Sequence, residues 1–369
     1  MDNTIEKLEK RISFMEQKIV ELQKDNLNYL KERENVNQVL HDMCNINNEV
    51  MISVSKIIGD QTTLDVNQNI TKARCDNLKY ELFDPALNRR QYYFPAIRSC
   101  EETIDEIIDG RKSMARFGDG EFAQIAKIYR HKFQRLDDKL ADRLEEVLHS
   151  HHPNILIAIA NNYGSLEQYT QFAADGIRFY MTAEEGKIRK QHMDLLEHDR
   201  IYYDAYVSRP YVMYKDNMTG APKKRFEHLK KIWEDRKVII VEGAQTRMGV
   251  GNDLLEGTQE IKRILAPATS SFDRYDDILK AALENAEDDT LFLVAMGPSA
   301  GVLAYDLAVQ GYQALDIGHI DLEYEWFLAG KGERVPVRYK YNNELAGDDN
   351  AEELHDPEYE NQIIANCSL

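Results

Sequence analysis

Asp119 and Glu121 stand two residues apart in the run Ala115-Arg116-Phe117-Gly118-Asp119-Gly120-Glu121, directly after the short apolar stretch Ser113–Phe117. At the end of a strand, that spacing can direct both carboxylates toward one hard cation. Mg²⁺ or Mn²⁺ takes oxygen ligands and keeps positions open for diphosphate oxygens. Gly118 and Gly120 let the backbone turn sharply and come close to a ligand. The same residues also read as an acidic turn capping the helix that follows.

Three further segments place reactive side chains after apolar runs. Lys237–Val241 delivers Glu242 to a glycine-rich loop that carries Arg247, Gly249, Gly251, Asn252 and Asp253. No Gly-Lys-Ser/Thr follows the glycines, and Leu254 stands where a dinucleotide fingerprint needs its third glycine. Arg247 could hold a diphosphate and Glu242 could act as a base, or the two could form a plain ion pair in a long turn. Thr290–Met296 ends in Gly297-Pro298-Ser299, where the backbone N–H groups of a helix start suit phosphate but also make an ordinary cap. Gln313–Ile317 leads into Gly318-His319, with Asp316, Asp321, Glu323 and Glu325 nearby. His319 beside Asp321 suits catalysis or substrate binding, or a structural hydrogen bond. Tyr324 and Trp326 could stack on a sugar or base, though core packing accounts for them as well. Arg209 is a further basic contact, and Lys223–Lys231 reads as a solvated helix face.

The elements that must position these residues are short strands. Ser113–Phe117, Asn154–Ala160, Lys237–Glu242, Lys262–Ala266, Thr290–Met296 and Gln313–Ile317 are apolar runs spaced by helical segments, the pattern of parallel strands buried on both faces. The expected domain is α/β and doubly wound over residues 94–342, with ligands at the carboxyl ends of the strands. Before it, residues 1–58 contain no Gly or Pro. There Ile5, Leu8, Ile12, Met15, Ile19, Leu22, Asn26 and Tyr29 fall at alternating steps of three and four, the a and d seam of a coiled coil, with Asn26 at an a position. Self-association as a homodimer is the expectation, with a single helix folded back on the domain as the alternative. Residues 59–93 read as a polar connector and 343–369 as a solvated, partly ordered acidic tail.

Composition narrows the function. The 46 Lys and Arg against 64 Asp and Glu give a net charge of −18, which argues against an extended nucleic-acid surface. The four cysteines form no CxxC pair, so zinc is unsupported and reduced thiols in a cytoplasmic protein are expected. No run approaches the ~20 apolar residues of a membrane span, and no secretory h-region opens the chain.

Taken in order, Ala115–Glu121, Val241–Leu254, Met296–Ser299 and Gly311–Trp326 resemble the GT-D glycosyltransferases, a family first described as a domain of unknown function. The resemblance covers roughly residues 95–340 and departs from the family pattern at Ala244 and Ser299. It implies a Rossmann-like domain in which the Asp119/Glu121 pair, a DxE motif, serves divalent metal (Mn²⁺ or Mg²⁺) and nucleotide-diphosphate binding. It also implies UDP-glucose as donor and a glycan or glycoprotein acceptor. On that footing Arg116, Gly118, Gly120, Arg247, Asn252, Asp253, Gly297, Pro298, Ser299 and Asp321 are the candidate nucleotide-sugar contacts. Glu242, His319 and Glu325 are the candidates for deprotonating the acceptor. A metal-dependent nucleotide-diphosphate phosphohydrolase and a non-catalytic UDP-binding scaffold are the alternatives.

Overall fold

The structure is a computed structural model that describes residues 2–58, 95–128, 134–342, 344–345 and 351–368. The chain divides into two units, Met1–Gln91 and Tyr92–Leu369. In the first, one helix, α1 (Asp2–Ile58), runs through the whole heptad region. Ile12, Met15, Ile19, Leu22 and Tyr29 of the seam are all exposed on it. The side chains of Ile5 and Leu8, and the connector expected at 59–93, lie outside the described residues. No described helix is long and apolar enough to cross a membrane. Cys44 is disulfide-bonded, against the expectation of reduced thiols, whereas Cys100 and Cys367 are free.

Among the described residues of the second unit, nine strands form one sheet: β1 (Ala96–Ile97), β2 (Ser113–Phe117), β3 (Ile155–Ile159), β4 (Ile201–Asp204), β5 (Lys237–Gly243), β6 (Glu260–Ala266), β7 (Leu291–Ala295), β8 (Gln313–Asp316) and β9 (Ile363–Asn366). Their spatial order is β1-β4-β3-β2-β8-β7-β5-β6-β9, and each paired strand runs parallel to its neighbour. Each of the six apolar runs read from the sequence contains or overlaps a strand. Alternation along them feeds two cores. Ile155, Ile157 and Ile159 of β3 join Ile239 and Val241 of β5 on one face. Leu156, Ala158, Val238 and Ile240 point to the other, where Trp233 and Trp326 are fully buried. The core reading of Trp326 and Tyr324 is the one the packing favours, since both are buried there.

Helices cover the sheet: α2 (Cys100–Asp109), α3 (Asp119–Ile125), α4 (Asp138–Leu148), α5 (Gln171–Leu195), α6 (Ala221–Lys230), α7 (Tyr275–Asn285), α8 (Ser299–Val309), α9 (Ile320–Ala329) and α10 (Pro357–Gln362). From β2 the chain proceeds through β3 to β4 on one side, while β8 returns to lie on the other side of β2. The strand order therefore switches between β2 and β8, and the carboxyl ends of the strands at such a switch point are where open parallel sheets form a ligand crevice. Within the tail expected for 343–369, the order falls in a short helix and a strand. Asp356 caps α10, and Ile363–Asn366 pairs with β6 as an edge strand. Cys367 N–H continues the ladder by donating to the Leu265 carbonyl at 2.7 Å. The acidic stretch before it hides a four-residue apolar strand whose backbone groups are satisfied only by an existing edge.

Candidate active site

β2 and β8 bring the first and fourth motifs together. Arg116, near the end of β2, donates from Nε to the Asp316 carbonyl at 2.8 Å and from Nη2 to its carboxylate at 2.6 Å. Its Nη1 donates to Ser208 Oγ at 2.6 Å. A side chain on Gly318 would collide with this guanidinium, since an ideal Cβ there would run into Arg116 Nη2. Gly318 also has φ +37°, so the glycine of the Asp-Ile-Gly-His run is required twice over. Arg116 is thus built into the floor of the crevice by an ion pair, with Asp316 buried and Arg116 mostly so.

Asp119 and Glu121 open α3 directly above this floor. Glu121 Oε2 accepts the Gly118 N–H at 2.8 Å, so the capping role is real. Its carboxyl is nevertheless pushed up to about 7, first by burial and then by the facing charge of Asp316. Asp119 is exposed, and its charge helps raise the Tyr206 hydroxyl, which burial already holds high. Tyr206 donates to Asn162 Oδ1 at 2.5 Å, placing the end of β3 at the same rim. Asp204, at the end of β4, is pushed up to about 6 by burial and receives Asn161 Nδ2 at 3.4 Å. The third motif completes the rim, since an added Cβ on Gly120 would meet Pro298 Cγ at 3.8 Å. Gly297 takes φ +67° to turn the chain into α8. Ser299 faces inward: its buried hydroxyl lies 2.7 Å from Ser271 Oγ and donates to the Met296 carbonyl at 3.0 Å.

The second motif lies on the other side of α9 and is tied to protein partners throughout. Glu242 is fully buried, with Oε1 receiving Arg263 Nη1 at 2.6 Å and Oε2 receiving Met248 N–H at 2.7 Å. Arg247 donates through Nη1 to the carbonyls of Tyr339 and Glu352. Asn252 Nδ2 reaches Asp321 Oδ1 at 3.0 Å and Glu325 Oε1 at 2.6 Å. Buried Lys340 bridges the same two carboxylates at 2.7 Å each. Asp253 pairs with Lys230 at 2.9 Å and accepts Tyr324 Oη–H at 2.7 Å. These bonds fasten the glycine-rich loop to α9 and to the segment after it. They give Glu242, Glu325, Asp321, Asn252, Asp253 and Arg247 scaffold partners and leave the β2/β8 crevice to Arg116, Asp119, Glu121, the Gly297–Pro298 turn and His319.

His319, the residue before α9, sits 3.5 Å through Nε2 from Glu344 Oε1. Glu344 also pairs with Arg209 at 2.8 Å and Arg334 at 3.1 Å. Of the crevice residues, Ser208, Asn162, Tyr206, Asp204, Arg334 and Glu344 do not stand out in the sequence, and Arg209 does so only weakly. Two of these positions carry a readable signal. Asn161-Asn162 and Asp204 both stand where apolar strands end, where parallel sheets place their ligands.

Residues 114–345 match the family model described as "Glycosyltransferase GT-D fold". A probable glycosyl transferase, Gly, of Streptococcus gordonii is 36% identical over 278 residues, covering 74% of this chain and 39% of that protein. Glycosyltransferase GlyD of Streptococcus pneumoniae serotype 4 is 35% identical, covering 73% of this chain and 32% of the relative. The chain therefore spans about two fifths or less of these curated relatives. A solved structure described as a new glycosyltransferase (DUF1792) from Streptococcus sanguinis superposes with TM-score 0.68 at 33% identity, covering 74% of this chain and 99% of that one. The class that fold and site define is a Rossmann-like sheet with an acidic, cation-lined crevice at its switch point. The chain belongs to the GT-D fold glycosyltransferase family.

Proposed function

We propose that this chain transfers a hexose, glucose on the resemblance to its relatives, from a UDP-sugar to a hydroxyl of a glycan or glycoprotein. The observation that carries the reading is the convergence at the β2/β8 switch point. The Asp119–Glu121 pair, the guanidinium of Arg116 and the Gly297–Pro298 turn meet there within one crevice. Glycosyl transfer from a nucleotide sugar needs stabilisation of a departing diphosphate, and charges aimed at that leaving group are how such a site contributes.

A divalent cation fits the donor set. Glu121 and Asp316 face each other across the crevice, burial raises both carboxyls, and a cation would relieve the repulsion between them. Among the described residues no group of three or more His, Cys, Asp and Glu is arranged to enclose an ion. Asp119 and Glu121 would form a two-carboxylate hold that leaves positions for phosphate oxygens. Bound there, Mn²⁺ or Mg²⁺ would supply charge neutralisation to the diphosphate. Arg116 then keeps Asp316 from competing for the cation, because its guanidinium already holds that carboxylate.

Calorimetric titration with UDP, with and without Mn²⁺, tests this reading in the wild type and in Asp119→Asn/Glu121→Gln. Metal-dependent binding that the double variant loses by at least about tenfold is expected. No UDP binding in either condition, or binding that the double variant keeps, would remove the basis for the donor assignment.

A further inference from the structure

Arg209, Arg334 and His319 surround a single carboxylate, that of Glu344. Glu344 Oε1 takes Arg209 Nη2 at 2.8 Å and lies 3.5 Å from His319 Nε2, while Oε2 lies 3.1 Å from Arg334 Nη2. The side chain is mostly buried, at 15% exposure, and the surrounding cations hold its carboxyl far below the usual carboxylate range despite that burial. The cluster abuts the crevice floor. Arg209 follows Ser208, which accepts from Arg116, and His319 follows Gly318, which must be glycine because Arg116 passes beside it.

We propose that Arg209, Arg334 and His319 form a phosphate subsite of the crevice, and that Glu344 occupies it as an internal stand-in which a phosphate displaces. The subsite deepens the donor-site reading above and rests on it for the identity of the natural ligand. Two guanidinium groups and an imidazole converging from three separate segments match a phosphate, with more charge and more acceptor oxygens, better than one carboxylate. Arg209 also feels the buried carboxylate of Glu323, so it stays compensated when Glu344 leaves. Glu323 Oε2 is itself held by the N–H groups of Tyr211 and Val212 at 3.0 Å each, which keeps that charge in place. Lys340 and Asn342 are buried, and the Glu344 N–H donates to Asn342 Oδ1 at 3.1 Å. Swinging the Glu344 side chain away empties the subsite.

A site open for only about a tenth of the time binds about tenfold more weakly than the open form. The test is titration of the full chain with inorganic pyrophosphate in the absence of divalent metal, comparing wild type, E344Q and E344Q/R334A. Expected is binding about tenfold tighter in E344Q than in wild type, and a loss of that gain in E344Q/R334A. Equal or weaker binding in E344Q, or no binding by either protein, overturns the proposal. If E344Q fails to fold, the side-chain carboxyl carbon-13 chemical shift of Glu344 in the wild type decides. It must move on saturation with pyrophosphate as the carboxylate leaves its three partners, and an unchanged shift overturns the proposal. Pyrophosphate gain in E344Q without any metal-dependent UDP binding would keep the subsite and remove the UDP reading. UDP binding through Asp119 and Glu121 with no effect of E344Q would do the reverse.

Discussion

Glu121 accepts the N–H that opens α3 and also confronts Asp316 across the crevice. Its folded value, about 7 against an ordinary 4.5, means that the native state keeps a proton which the unfolded chain releases. Stability is therefore greatest below the ordinary carboxylate value, declines as pH rises between the two values, and levels off above about 7. Thermal melts of metal-free protein across that interval should show a downward slope that E121Q reduces, and equal slopes in the two proteins would contradict the burial of this charge. Divalent cation binding should follow the opposite trend and strengthen as Glu121 loses its proton. At this scale the sequence is informative for types and spacing but not for partners. Asp119-Gly-Glu121 and Gly318-His319 are legible because glycines and polar side chains gathered where an apolar strand ends suit a ligand site better than a packed core. That Glu242 spends both oxygens on Arg263 and Met248 is invisible, because Arg263 sits 21 positions away on a neighbouring strand.

Among elements, the long central strands announce themselves, because burial on both faces demands continuous apolar runs. β1, β4 and β9 do not, being two to four residues long and dependent on an edge already formed. The glycine-rich loop after β5 looks like a ligand cradle, yet Asn252, Lys340 and Asp321 turn it into a clasp between that loop and α9. A motif can thus be legible as special while its purpose depends on which helix it meets. α1 presents the opposite case. Its described a and d residues Ile12, Met15, Ile19, Leu22 and Tyr29 are exposed, and an apolar seam of that length is stabilised far better by a partner helix than by water. We propose that α1 pairs two chains. Light scattering on the intact protein should give a dimer, and I12E/I19E should give a monomer with unchanged thermal unfolding of the sheet unit. A monomeric wild type would refute the pairing.

Across the whole sheet unit, four motifs spread over some two hundred residues resolve into two places. One is the crevice where strand order reverses, with Asp119, Glu121, Arg116, the Gly297–Pro298 turn and the Arg209–His319–Arg334 cluster. The other is the clasp behind α9. The parallel α/β class can be read from apolar periodicity, but this division cannot, because it follows from β8 returning beside β2. The order of strands is a long-range property that spacing along the chain does not encode. Two glycine-rich sites compete for the nucleotide in the sequence, and only the topology separates them. A crystal structure of the protein with UDP and Mn²⁺ is the most direct test of that separation. It should show the diphosphate between the starts of α3 and α8, with the metal on Asp119 and Glu121. A diphosphate bound instead in the Gly249–Asn252 loop would contradict the assignment of the donor site to the β2/β8 crevice.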